Sequence, residues 1–276
     1  MEPFVLQNTS YFILEEWMKR FPGLVAGITA KTSGFSKGEF ESLNLGFHVG
    51  DELQDVLNNR KKISSQIGFP LEKWVGAEQT HHDLIRKVHR GDRGKGSDSY
   101  DTSFSGTDGF YTDEKGILLT LCFADCVPLF FLAPELGMIG AAHAGWKGTV
   151  KQIAKNMVEL WQREGIRPEQ IFVAIGPSIC EKCYIVDKHV IDFVQKILED
   201  VEKKPYNRIK EDQYSLDLRE VNQIILLNAG IPAQNILVTE YCSSCNEMQF
   251  FSHRRNQGHT GRMLSFIGWK EDSSHL

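Results

Sequence analysis

Eight stretches of the chain are apolar runs or alternate apolar and polar residues, and these predict strands at 24–30, 73–80, 116–124, 127–133, 137–144, 170–176, 235–242 and 262–269. Segments 54–67, 148–164, 187–201 and 217–229 repeat their apolar positions at helical spacing instead. In the second of these, Val150, Ile153, Met157, Leu160 and Trp161 fall on one face. The turn PELG at 134–137 predicts a hairpin between two strands. The Gly-, Ser- and Asp-rich stretch 89–106 predicts a mobile surface loop, placed to cover a site. Strand-like and helix-like segments alternate without an internal repeat or a linker, which favours a mixed α/β or α+β architecture in a single domain over residues 1–276.

Two of the apolar runs carry groups that an apolar setting does not tolerate alone. FADCVPLF (123–130) contains Asp125 and Cys126, and GAAHAGWKGT (140–149) contains His143. Buried polar groups cost free energy unless partnered, so these positions call for a proton, a metal or a substrate. If 116–126 and 137–145 are neighbouring strands, Cys126 and His143 stand at strand ends facing a loop-lined cleft. EQTHHD adds His81 and His82 just after a predicted strand. His81, Cys126 and His143 make a His2Cys set, the three-ligand arrangement that leaves a fourth position open on a catalytic zinc. Spacing alone leaves two other readings open: a metal-free pair with Cys126 as nucleophile and His143 as base, or residues satisfied by ordinary packing.

Composition narrows the field. The chain has 276 residues, 41% of them hydrophobic, and a net charge of -5 with scattered Lys and Arg, which offers no footprint for nucleic acid or an anionic membrane. Small-molecule substrates are expected. No basic leader and no membrane-length apolar run is present, which predicts a cytoplasmic protein. Four of the six cysteines form two CxxC pairs, Cys180/Cys183 and Cys242/Cys245. The spacing within each pair suits a structural zinc, yet the pairs lie far apart in sequence, so separate loop thiols are the favoured expectation and a second metal site the alternative.

Anion-binding candidates come from two places. Gly145, Gly148 and Thr149 stand where a strand meets a helix, so free N–H groups and the positive helix end would face His143, although a tight turn capped by Thr149 explains the same residues. SHRRNQGHTGR collects His253, Arg254, Arg255, His259 and Arg262, which suits an oxyanion or a solvated charged turn.

Taken in order, SLNLGFHVGD (42–51), the Gln and His of EQTHH, ADCVPL, AAHAGWKG, GPSI (176–179) and FFSHRRNQGHTGR resemble the bacterial YfiH/YlmD family, labelled polyphenol-oxidase or laccase-like, and most of all its Gram-positive YlmD branch. The resemblance runs from about residue 25 to residue 268. It implies an α+β fold of packed mixed sheets with outer helices, and a zinc-dependent purine nucleoside phosphorylase acting on adenosine, inosine, guanosine and methylthioadenosine, with adenosine deamination as a second activity. The partners it implies are purine nucleosides and phosphate, and the assembly a monomer or homodimer. Carried over by position, the metal ligands are His81, Cys126 and His143; His82 stands where the family commonly has Gly. None of the nine histidines forms a His-x-His pair, which argues against a multicopper centre, although Cu2+ can occupy a His2Cys site in place of Zn2+.

Under this resemblance Lys147, Arg254, Arg255 and Arg262 are candidates for phosphate, and Asn44 and His48 for the nucleoside, with Asn44 equally suited to capping a turn. Deamination needs a proton shuttle, for which Asp125, Glu78 and Asp83 are candidates. Strand alternation sets Asp125 opposite to Cys126 and so argues against it.

Overall fold

The apolar runs form strands distributed over three sheets in the computed structural model, which describes residues 2–198 and 201–271. The first sheet has the order β1 (Phe4–Gln7), β2 (Tyr11–Leu14), β3 (Leu24–Thr29), β15 (Met263–Trp269), β7 (Leu118–Phe123) and β4 (Trp74–Val75). The second runs β14 (Ile236–Val238), β10 (Phe172–Ile175), β8 (Val127–Ala133), β9 (Met138–Ala144), β6 (Gly109–Thr112) and β5 (Ile85–Lys87). A small third sheet joins β11 (Ile185–Val186), β13 (Gln213–Leu216) and β12 (Tyr206–Lys210). Most pairs are antiparallel, while β4/β7, β5/β6 and β10/β14 are parallel. The architecture is α+β, with mixed sheets packed together and helices outside, as the resemblance implies.

Why the central strands read as unbroken apolar runs follows from their two buried faces. In β8, Val127, Leu129, Phe131 and Ala133 face one core while Phe130 and Leu132 face another. In β7, Leu119, Leu121 and Phe123 turn toward the second sheet and Leu118 turns away from it. Period-two alternation is present, but both halves are hydrophobic because each face is covered. Outside the first sheet lies α2 (Leu53–Ile67), whose Ile63 and Ile67 pack on Val25, Leu264 and Phe266. Over the second sheet lie α4 (Ile153–Arg163), α5 (Lys188–Ile197) and α6 (Leu218–Asn228), contributing Met157, Trp161, Val194 and Ile225 to the other core. Asp187 and Asp217 cap the last two of these helices by accepting backbone N–H groups from Val190 and from Arg219 and Glu220.

Several expectations are corrected. The helix expected over 148–164 is two helices, α3 (Trp146–Val150) and α4, because Gln152 takes a left-handed φ of 60° that turns the chain between them. The strand expected at 73–80 keeps only β4, since the chain then leaves the sheet as a loop toward His81. Residues 199–200 of the helix expected over 187–201 lie outside the described residues. The hairpin at 134–137 is present, with β8 and β9 antiparallel on either side of it. Unforeseen elements are the N-terminal hairpin β1–β2, α1 (Glu15–Arg20), β5, β6 and the third sheet, all short and mostly at sheet edges.

The stretch 89–106 is tied down by a buried guanidinium. Arg60 of α2 donates from Nε and Nη2 to the Leu45 carbonyl at 2.9 and 2.7 Å, and from Nη1 to the carbonyls of Gly96 and Ser97 at 2.7 and 3.0 Å. Its Cζ lies 4.3 Å from the Phe47 ring centroid. One side chain thus ties this stretch to the 42–51 loop beside the site. Replacing it by methionine keeps the apolar stem but strands three buried carbonyls, at a cost of about 3 kcal/mol. We expect Arg60→Met to lower the urea midpoint without changing the slope, and to make residues 94–102 the first point of limited proteolysis. Unchanged unfolding would show that the tether contributes nothing.

Candidate active site

Between Phe123, the last residue of β7, and Val127, the first of β8, the chain must cross from the first sheet to the second in three residues. Asp125 makes the crossing in a left-handed conformation, φ 89°, which few residues other than Gly, Asn and Asp adopt. Residues 124–126 are therefore a crossover and not regular strand. The alternation that separates Asp125 from Cys126 does not apply, and both line one cavity. Nor are β7 and β9 neighbours in a sheet: they face each other across the inter-sheet core. Cys126 packs against that layer and His143 shares the parity of Ala141, so both stand at its rim, with Pro128 directly opposite His143.

His81 reaches the same rim from the loop after β4. The organising group is Asp108, which the sequence reading missed. It sits just before β6 with its side chain fully buried. Its Oδ1 accepts the His81 N–H at 3.0 Å, and its Oδ2 accepts those of His82 and Thr80 at 2.8 and 3.1 Å. The same Oδ1 is 2.8 Å from His143 Nδ1, which fixes that ring and leaves Nε2 toward Cys126. Wrapping the loop around this carboxylate puts His81 at φ 60° and its ring 4.8 Å from that of His143. The donor atoms of His81, Cys126 and His143 all lie within 4.8 Å of one another. His82 points elsewhere, its Nδ1 2.6 Å from Lys151 Nζ. Of the two adjacent histidines, His81 is the one that joins the donor set.

Burial pushes the Cys126 thiol up, but the charge of His143 and hydrogen bonds with His143 and His81 outweigh it and hold the thiol at about 6. Burial likewise works against a charged His143, and is outweighed by the Cys126 thiolate and Asp108, which hold it at about 9. Asp108 is held low despite its burial, by His143 and the backbone donors. Between about 6 and 9 the metal-free protein carries a thiolate and imidazolium pair, and a borderline cation bound by these groups would displace the His143 proton.

The cavity holds about 410 Å³. Its lining joins the triad with Asp125, Trp146 and Tyr184 to His48, Gln79, Cys122, His253, Arg254 and Arg262. Gln79 spans to β7, accepting the Cys122 N–H at 2.7 Å and donating to its carbonyl at 2.9 Å. Burial, then the charges of Arg262 and Arg60, push His48 down to about 4, so its ring is neutral at physiological pH. His253 is lowered by burial and then by Arg262. Asp125 is occupied, accepting the Ser243 hydroxyl at 2.6 Å and the Arg254 N–H at 2.7 Å.

Other predicted residues sit outside this cavity. Asn44 is buried, with its side-chain oxygen accepting the N–H groups of Gly46 and Arg262 at 3.0 and 2.8 Å, so it shapes the loop that carries His48. Lys147 is exposed, with its ammonium 5.7 Å from the Trp146 ring centroid. Arg255 turns away to the carbonyls of Ser243, Ser244 and Phe250, at 2.9, 3.0 and 2.9 Å. His259 pairs with Glu39 at the surface. Glu78 accepts the Ser105 hydroxyl at 2.5 Å, and Asp83 lies between Asn156 and Lys151, so neither faces the triad. Asp108, Trp146 and Tyr184 were not singled out; the signal for Asp108 was a lone carboxylate between the Gly/Ser-rich loop and the apolar run GFY.

Fold and site together define an α+β protein of two large sheets and one small one, with a His2Cys donor set opening into an arginine-lined cavity at the sheet rim. The chain belongs to the multi-copper polyphenol oxidoreductase laccase family, whose model matches residues 25–270. It is 53% identical over 253 residues to the purine nucleoside phosphorylase YlmD of Geobacillus stearothermophilus, covering 91% of this chain and 92% of that one. To the protein of the same name from Bacillus subtilis it is 45% identical, covering 98% of each. The crystal structure of YlmD from Geobacillus stearothermophilus superposes with a TM-score of 0.95 at 49% identity, over 98% of this chain and 100% of that one. A Neisseria meningitidis protein, NMB0706, shares the fold at a TM-score of 0.78 and 25% identity, over 91% of this chain and 96% of that one.

Two measurements check the site. Asp108→Asn sets an amide N–H2 against N–H donors and frees the His143 ring, so zinc affinity measured by chelator competition should fall by about 10- to 100-fold. In metal-stripped protein, alkylation of Cys126 should climb as pH rises through about 6 and then level off, because the thiolate forms above that value. A climb centred near the ordinary thiol value would contradict the ion pair.

Proposed function

We propose that the protein is a zinc-dependent purine nucleoside phosphorylase working as one domain over the whole chain. The observation that carries this reading is a cavity combining a His2Cys donor set with Arg254 and Arg262, in a chain 53% identical to a protein named as such a phosphorylase. Two imidazoles and one thiolate with one side open suit zinc, and Cu2+ fits the same donors. The Lewis acidity that zinc supplies when bound would be available to the cavity, because all three donors line it.

Phosphorolysis breaks the bond from the anomeric carbon to the purine and forms one from that carbon to a phosphate oxygen. The attacking group is an anion, and Arg254 and Arg262 are the lining groups able to hold it. Arg262 is mostly buried, with Nη1 donating to the carbonyls of Thr260 and Gly261 at 2.8 and 3.0 Å, so its guanidinium is pre-positioned and needs little ordering. Lys147 and Arg255, turned elsewhere, are given no role at the phosphate. Trp146 and Tyr184 offer apolar walls to the purine, and the neutral ring of His48 offers one donor and one acceptor to base or ribose. The substrates proposed are adenosine, inosine, guanosine and methylthioadenosine, with adenosine deamination as a second activity at the same centre. Asp125 is the carboxylate that lines the cavity, and it would have to release Ser243 to move a proton.

One arrangement favours a second reading. Asp108, His143 and Cys126 stand in the order of an orienting acid, a base and a nucleophile, as in a metal-free amide hydrolase. Chelation separates the two: it abolishes a zinc phosphorylase and leaves a cysteine hydrolase active.

With inosine, hypoxanthine release should rise and saturate with phosphate, and ribose 1-phosphate should appear in equal amount. Arg262→Ala should raise the phosphate KM by about tenfold or more while moving the inosine KM less. Free ribose released at an unchanged rate without phosphate would replace the phosphorylase with a zinc nucleoside hydrolase.

A further inference from the structure

The two CxxC pairs, expected to be separate loop thiols, come together. Their meeting follows from the sheet. β10 and β14 pair in parallel, so the chain leaves both at the same end and continues side by side as far as an isolated bridge between Ser178 and Cys242. Each strand is followed at once by its pair, Cys180 and Cys183 in one loop and Cys242 and Cys245 in the other. Residues distant in sequence thereby become neighbours.

The four sulfurs lie within 4.8 Å of one another, and all four cysteines are free thiols. Cys245 Sγ is 3.8 Å from Cys180 Sγ and 3.4 Å from Cys183 Sγ. Four thiolates at the usual zinc bond length of about 2.3 Å in a tetrahedron sit about 3.8 Å apart, close to both separations and far beyond a disulfide bond. The backbone is folded for the purpose. The N–H groups of Cys180 and Cys245 both donate to Cys242 Sγ at 3.3 Å, which favours that sulfur as a thiolate. In each loop the first cysteine's carbonyl accepts a later N–H: Cys180 from Cys183 and Tyr184, Cys242 from Asn246.

We propose that Cys180, Cys183, Cys242 and Cys245 bind one zinc ion as a four-thiolate structural site, separate from the His81–Cys126–His143 centre. Binding releases the thiol protons to solvent and transfers no electrons. All four positions on the metal are filled by protein, so this site has no open coordination for substrate. Its role is to fasten one wall of the cavity. Tyr184 follows Cys183 directly, Ser243 follows Cys242 directly and holds Asp125, and Arg254 Nη1 donates to Ile185 O at 2.6 Å.

The test uses full-length protein purified without chelator, and does not depend on the phosphorylase reading. Metal analysis should find two zinc per chain in the wild type and one in Cys126→Ala. Cobalt-loaded Cys126→Ala should show the intense thiolate-to-metal charge-transfer band and tetrahedral d–d bands of four sulfur ligands. Cys183→Ser should lose one zinc, lower the melting temperature and retain the other zinc on Cys126. Should Cys183→Ser fail to fold, the Cys126→Ala data decide alone. A Cys126→Ala protein that keeps no zinc after equilibration and gel filtration overturns the proposal. So does intact-mass evidence that these cysteines form disulfides in the isolated protein.

Discussion

Everything at the site hangs on one buried carboxylate. Asp108 is shielded from water and ionised, a state that is stable only while its oxygens are occupied by donors. Three consecutive backbone N–H groups and the His143 ring fill that need. The loop must curl to supply them, and the curl is what carries His81 into left-handed backbone and toward Cys126. Gly145 completes the constraint, because a Cβ there would sit 2.9 Å from Cys126 Sγ and 3.1 Å from His81 Cδ2. The triad is therefore the residue set left over once Asp108 is satisfied and the chain behind it has no side chain.

The legible parts of this protein are those encoded locally. Two-sided apolar strands announce themselves, as β7, β8, β9, β10 and β15 do, and so do helices begun by a capping Asp such as Asp187 and Asp217. Cys126 and His143 were visible as polar groups set in apolar runs, and long ordered motifs identified the family. What stayed hidden was made by pairing between distant segments. Nothing near Cys180 indicates Cys242, because their meeting depends on the parallel registry of β10 with β14. Nothing near His81 indicates Asp108, because their contact depends on β5 pairing with β6. Strand alternation misplaced Asp125 for a related reason: it holds only in regular strand, and the change of sheet at 124–126 forces Asp125 out of extended backbone.

The preference for an anion proposed for the cavity rests as much on how its carboxylates are occupied as on its arginines. Asp108 and Asp125 lie close enough to the triad to offset positive charge, yet each spends its lone pairs on fixed N–H and O–H donors. An arriving anion meets Arg254 and Arg262 while the acids beside them are already engaged, so repulsion from those acids is partly cancelled before binding. Burial first, and then the charges of Arg262 and Arg60, keep His48 neutral. A ring held neutral retains an acceptor nitrogen, which a protonated imidazole would lack.

Positioning of these groups traces back to the sheet ends. Arg254 is anchored through its backbone to Asp125 and through its side chain to the Ile185 carbonyl, while Arg255, next in sequence, faces away and ties down the 243–250 segment. Adjacent arginines thus do different work: one lines the cavity, and the other holds the loop that carries Ser243 to Asp125. Substituting Arg255 would therefore disturb the cavity through Ser243 and Asp125 without removing a lining charge. The chain thereby separates two roles that composition alone presents as one basic cluster, the holding of a ligand and the holding of the wall behind it.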